Sequence, residues 1–167
     1  LTRLDGTTGA LDTTFGTAGV VLFQPEATTE GVGDGRALAI QSDQKIVAVG
    51  AVAGYAAIAR YNTDGTLDTT FSGDGQIVTQ TYYVYDNALF GVAVQTDGKI
   101  VTVGQADNYY YDAYTTNWID EYYMVVCRYS STGVLDTAGF NGGQGCYQWY
   151  AGGNQLQGGA VAIQSDG

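Results

Sequence analysis

The chain has 167 residues, 45% hydrophobic and 14% charged, a composition that belongs to a folded polypeptide with one sizeable core. Seventeen acidic against six basic residues give a net charge of −11, which repels phosphate backbones and anionic headgroups and argues against a nucleic-acid partner. No apolar run approaches the roughly 18 residues that span a bilayer, so no membrane insertion is expected of this segment, and the first residues lack the basic-then-apolar pattern of a signal peptide.

Twenty-five glycines, one proline and scattered Val, Ile, Thr and Tyr favour short strands joined by glycine turns, hence an all-β fold. In chain order, a short arginine-bearing strand, LTRLD, leads into GALDTTF at 9–15. ALAIQSDQKIVAVG at 37–50 follows, then AIARYN and GTLDTTF at 65–71. The same order returns as GVAVQTDGKIVTVG at 91–104, VVCRYS and the looser GVLDTAGF at 133–140, and AVAIQSDG at 160–167 begins it again. The chain is therefore a repeat array, with approximate segments 1–36 (end of a unit), 37–90, 91–158 (with an insertion) and 159–167 (start of the next). Arg3, Arg60 and Arg128 lie 57 and 68 apart, so the last unit carries about a dozen extra residues.

A full unit reads as four strands: LAIQ, KIVAVG, AAIARYN and QIVTQT. The first two are linked by a tight turn in which Asp43 and Asp97 bond the local backbone. The last two are linked by the LDTTF block, with Leu67 and Phe71 as anchors. In the first strands Leu38, Ile40, Val92 and Val94 alternate with Ala39 and Ala93, one bulky face and one small, as blades packed on both sides require. Four antiparallel strands per repeat predict β-propeller-like blades, with a β-solenoid as the alternative. Three units are too few to close a ring, and the last ends inside a turn at Asp166 and Gly167, so a segment of a longer polypeptide is expected.

The pairing of ARYNTDGTLDTTFSGDG with VAVQTDGKIVTVG resembles the bacterial delta-60 repeat, a β-propeller module of large exported and surface proteins. Nearly the whole chain takes part in the resemblance. Gln44 replaces the usual turn glycine, TAGF is split, and an insertion follows Gly104. The resemblance implies export and tandem arrangement and carries over no catalytic residue.

Five bases and six acids sit at repeat positions, leaving the frame at −1, so the remaining −10 falls in variable segments. The recurring arginines and LD-block aspartates pair as Arg3 with Asp12, Arg60 with Asp68 and Arg128 with Asp136, each expected as a bidentate fork beneath the loop. Asn62, Asp64 and Asp68 have part of a calcium-loop spacing, but the set does not recur and Asx-type turns explain the same residues; calcium is the only cofactor these residues suggest. Cys127 and Cys146 stand at facing ends of adjacent strands in one unit, which predicts a disulfide and an oxidising compartment. Two cysteines without histidine do not complete a zinc site.

Fourteen tyrosines are the most unusual feature. Tyr82, Tyr83 and Tyr85 precede one repeat, and Tyr109, Tyr110, Tyr111, Tyr114 and Trp118 crowd the insertion QADNYYYDAYTTNWIDEYY, read as a loop. Such rings suit protein interfaces and sugar stacking, and equally suit covering the insertion's own blade or lining an inter-blade contact. Without histidine the usual nucleophilic triads are unavailable, and the acids Asp112, Asp120 and Glu121 read as solvated loop residues. The expectation is a non-enzymatic structural or interaction module of an extracellular or cell-surface protein, self-associating or binding other surface proteins. The alternative is a glycan-binding, lectin-like propeller.

Overall fold

The computed structural model describes residues 1–23, 33–79, 87–150 and 158–164, with backbone alone at 108, 109 and 120. Among the described residues eight strands form two four-stranded sheets in strict chain order. The first contains β1 (Asp34–Ile40), β2 (Ile46–Val52), β3 (Tyr55–Tyr61) and β4 (Gln76–Thr79). The second contains β5 (Ala88–Val94), β6 (Ile100–Asp112), β7 (Asn117–Tyr129) and β8 (Cys146–Tyr150). Every neighbouring pair is antiparallel, so each sheet is a meander of the propeller-blade kind and not a stack of parallel rungs.

The turns follow from the local sequence. Asp43 and Asp97 each accept the backbone N–H of the lysine two residues on, at 3.2 and 3.1 Å. The residue between is left-handed in both turns, with φ 68° at Gln44 and 82° at Gly98. β1 and β5 bulge at equivalent places, Gly35/Ala37 and Leu89/Gly91, and the bulged residues meet: the Arg36 guanidinium lies 4.6 Å over the Phe90 ring.

Period-two side-chain alternation gives the first blade two apolar faces, and each is covered by a different neighbour. Val47, Val49, Ile58 and Phe71 pack with Leu89, Ile100, Cys127 and Tyr129 of the second blade. On the opposite face Ala48, Ala57, Ala59 and Tyr61 pack with Phe15, Val21 and Phe23. Small alanines there allow close approach, and bulky residues fill the other side. Val92 and Val94 pack against the first blade, whereas their counterparts Leu38 and Ile40 are exposed.

Register also sorts the loops. The turns at 41–45 and 95–99 and the LD blocks lie along one edge of the blades. The β2–β3 turn at Ala53 and Gly54 and the β6–β7 tip lie along the other. Repeated loops and the long insertion are thus segregated to opposite edges.

Candidate functional site

The repeated edge is a joint between units. Arg60 leaves the end of β3, buried, and its Nε donates to Asp68 Oδ2 at 2.7 Å. The other guanidinium nitrogens turn away from that carboxylate: one donates to Thr70 Oγ1 at 3.2 Å and the other to Ser131 O of the next blade at 2.5 Å. The expected fork is therefore opened at this position, because the next unit's carbonyl competes for the second N–H. Lys45 Nζ takes the remaining place on Asp68 Oδ2 at 2.9 Å, while the Thr70 N–H and hydroxyl donate to Oδ1. The guanidinium lies 4.7 Å over Phe71. Burial pushes the Asp68 carboxyl up, but hydrogen bonds from Lys45 and Thr70 and the Arg60 charge outweigh it and hold the group well below the usual range.

Arg3 repeats the pattern with Asp12 at 2.8 Å, Thr14, the Phe15 ring and the carbonyl of Thr63 in the following unit. Arg128 pairs with Asp136 at 2.9 Å over Phe140, and donates to Gly139 O of its own loop. The backbone adds a second tie, with Gly16 N donating to Asp64 O at 2.8 Å and Ser72 N to Thr132 O at 2.9 Å.

Two glycines fit into this joint. Gly65 and Gly133 both have φ +89°, and a Cβ on Gly133 would stand 2.9 Å from the Phe71 ring and 3.1 Å from Ser72 N. At the equivalent Gly9, φ is +69° and nothing lies within 4 Å. Gly133→Ala is expected to lose about 1–3 kcal/mol by adding overpacking to backbone strain. Gly9→Ala carries the strain alone, so its thermal midpoint should fall less; equal drops in the two variants would mean that the joint carries no packing energy.

The calcium-like residues are spent on local bonds. Asn62 Nδ2 donates to Thr66 Oγ1 and Leu67 O, Asp64 Oδ1 accepts from the Thr66 N–H and hydroxyl, and Asp68 faces two cations. Among the described residues no group of three or more Asp, Glu, Cys or His is placed to hold a metal ion. Cys127 and Cys146 stand opposite in the β7–β8 register and form a disulfide.

On the other edge the insertion is not a loop. β6 and β7 continue beyond the blade by six residue pairs, from Asp107↔Tyr122 to Asp112↔Asn117. In the tip, Asp112 accepts the Tyr114 N–H at 2.9 Å and the Thr115 hydroxyl at 2.7 Å, and the hydroxyl bond is the larger cause holding its carboxyl below the usual value. Alternation divides the aromatics between two sides. One side carries Tyr111 against Trp118, edge-on with ring centroids 5.4 Å apart, and reaches Trp149 through Met124. The other carries Tyr110, Glu121, Tyr123 and Tyr150: Tyr110 and Tyr123 hydroxyls donate to the two Glu121 oxygens at 3.3 and 2.7 Å. Trp118 is 61% exposed and Tyr114 wholly so. The Tyr109 side chain and the run Tyr82, Tyr83 and Tyr85 lie outside the described residues.

Sequence reasoning missed the aromatic strand β8, where Tyr147 and Trp149 stack at 5.4 Å and Phe140 meets Tyr147 edge-on. Alignment holds the missing signal, since Tyr147 and Trp149 stand where β4 has Ile77 and Thr79.

These features define a tandem β-propeller repeat protein, its blades joined by a recurrent Arg–Asp–Phe contact. A family model described as Domain of unknown function (DUF5122) beta-propeller matches residues 41–71. The matched stretch holds one complete set of joint residues, Arg60, Asp68 and Phe71. No curated protein and no solved structure matches the chain.

Proposed function

We propose that this chain is a non-enzymatic interaction module of an exported bacterial surface or matrix protein, built from delta-60-type repeats, with the β6–β7 hairpin as its contact surface. The observation that carries the reading is the lengthened hairpin, which exposes Tyr110, Tyr111, Tyr114 and Trp118 at the edge away from the repeated loops. Rigid amphipathic rings supply contact area at low conformational cost. The Cys127–Cys146 disulfide supports an oxidising, extracytoplasmic setting, and no described helix is long and apolar enough to cross a membrane. Absence of histidine supports the non-enzymatic reading.

Glycan binding is a second reading, favoured by the adjacent exposed rings of Tyr111 and Trp118. Light scattering over a concentration series and a glycan array separate the two. Tyr111→Ala with Trp118→Ala is expected to abolish concentration-dependent association without moving the thermal midpoint, because these rings lie beyond the blade core. Association unchanged in the double variant sinks the contact-surface reading; array binding lost in Trp118→Ala shifts the assignment to glycans.

A further inference from the structure

We propose that the side of the hairpin formed by Tyr110, Glu121, Tyr123 and Tyr150 receives a cationic side chain, a lysine or arginine presented by a basic segment of a partner polypeptide. The inference rests on the hairpin being a contact surface and names the chemistry of what it contacts. The sequence has six basic residues, and each is already paired with an aspartate: Arg3 with Asp12, Arg36 with Asp34, Lys45 and Arg60 with Asp68, Lys99 with Asp97, Arg128 with Asp136. No lysine or arginine of this chain is left for Glu121.

What does hold Glu121 is a pair of neutral donors. The Tyr110 and Tyr123 hydroxyls occupy one carboxylate oxygen each, which orients the group and leaves its charge uncancelled. Burial of the Tyr123 tip is secondary to that bond in pushing its phenol up to about 12, so the hydroxyl stays a donor through the physiological range.

The rings complete the receptor. Tyr150 stands opposite Tyr123 in the β7–β8 register, with ring centroids 5.5 Å apart and planes tilted by 41°. Tyr110 and Tyr150 are 39% and 52% exposed, so their faces are reachable. A negative ring face beside a carboxylate attracts an ammonium or guanidinium more than either group alone. The first blade ends its hairpin at Val52↔Tyr55, so it has no pairs alongside the extension. The chain's −11 charge steers a basic partner toward it before contact.

The test is a titration of the intact chain with capped tetralysine and tetra-arginine peptides, followed by aromatic carbon–proton NMR shifts of Tyr110, Tyr123 and Tyr150. Saturable shifts at these rings are expected, weakened by added salt and absent with a capped tetraglutamine peptide. Glu121→Gln keeps an acceptor for the tyrosines and should weaken binding about fivefold, as should Tyr150→Leu. Asp74→Asn, which removes one exposed charge at the opposite edge, should change it little. Equal weakening by Asp74→Asn, or peptide binding that leaves the three rings unmoved, overturns the proposal. If the Tyr111 and Trp118 double variant still abolishes association in that case, the contact-surface reading stands without it.

Discussion

Asp68→Ala is expected to lower the free energy of unfolding by about 3–5 kcal/mol, the cost of leaving a buried charge without its partner. The Asp68 and Arg60 side chains are only 4% and 7% exposed, and Lys45 shares the same carboxylate oxygen. Removing the carboxylate leaves a guanidinium facing Thr70 and Ser131 O, between two packed blades. Asp12→Ala, at a pair open to water, should shift the urea midpoint less. The pH dependence has a definite sign. Because the folded Asp68 carboxyl is held below its unfolded value, its contribution is full above the unfolded pKa of about 3.9 and is lost as pH falls through the folded one. The native chain should therefore lose stability steeply on going below about pH 4, and Asp68→Asn should lose it less steeply. Parallel urea midpoints for the two proteins across that range would show that Asp68 contributes nothing to acid unfolding.

The blades were legible in the sequence because the residues that repeat are the ones that touch the next unit. Arg60, Asp68 and Phe71 recur since a joint between identical units must be built from the same parts each time. The aspartate turns at Asp43 and Asp97 were legible because their chemistry is local. Lys45 on Asp68 was not, since it crosses from one loop of the blade to another. Nor was the split of the Arg60 guanidinium, which depends on where Ser131 falls in the neighbouring blade. The insertion hid its strands for a different reason. Both sides of the hairpin carry tyrosines and polar groups, so the alternation of apolar and polar residues that marks a half-buried strand is missing. Pairing Tyr111 with Trp118, and Glu121 with two tyrosyl hydroxyls, is a consequence of register, which no single segment specifies.

Replacing Cys127 and Cys146 together by alanine is expected to cost about 3 kcal/mol, the loop-closure value for a crosslink of this span. The two residues are 19 apart, and the loop between them belongs to the third Arg–Asp–Phe set, Arg128, Asp136 and Phe140. At the same register position the first blade pairs Ala59 with Gln76, and it folds its loop around the buried Asp68. The second blade has a more exposed pair at Asp136, so a covalent tie offsets what the weaker ionic contact does not supply. Stability in stacked repeats is close to a sum of unit and neighbour contributions, so the loss should be local. In the double alanine variant, amide exchange should accelerate first in β8 and in the β7 residues paired with it, while β2 and β3 keep their protection. Uniform acceleration across both blades would instead mean that the joint at Arg60 and Ser131 couples them into one cooperative unit. In that event the disulfide stabilises the frame as a whole, and its effect on the tyrosine hairpin is indirect.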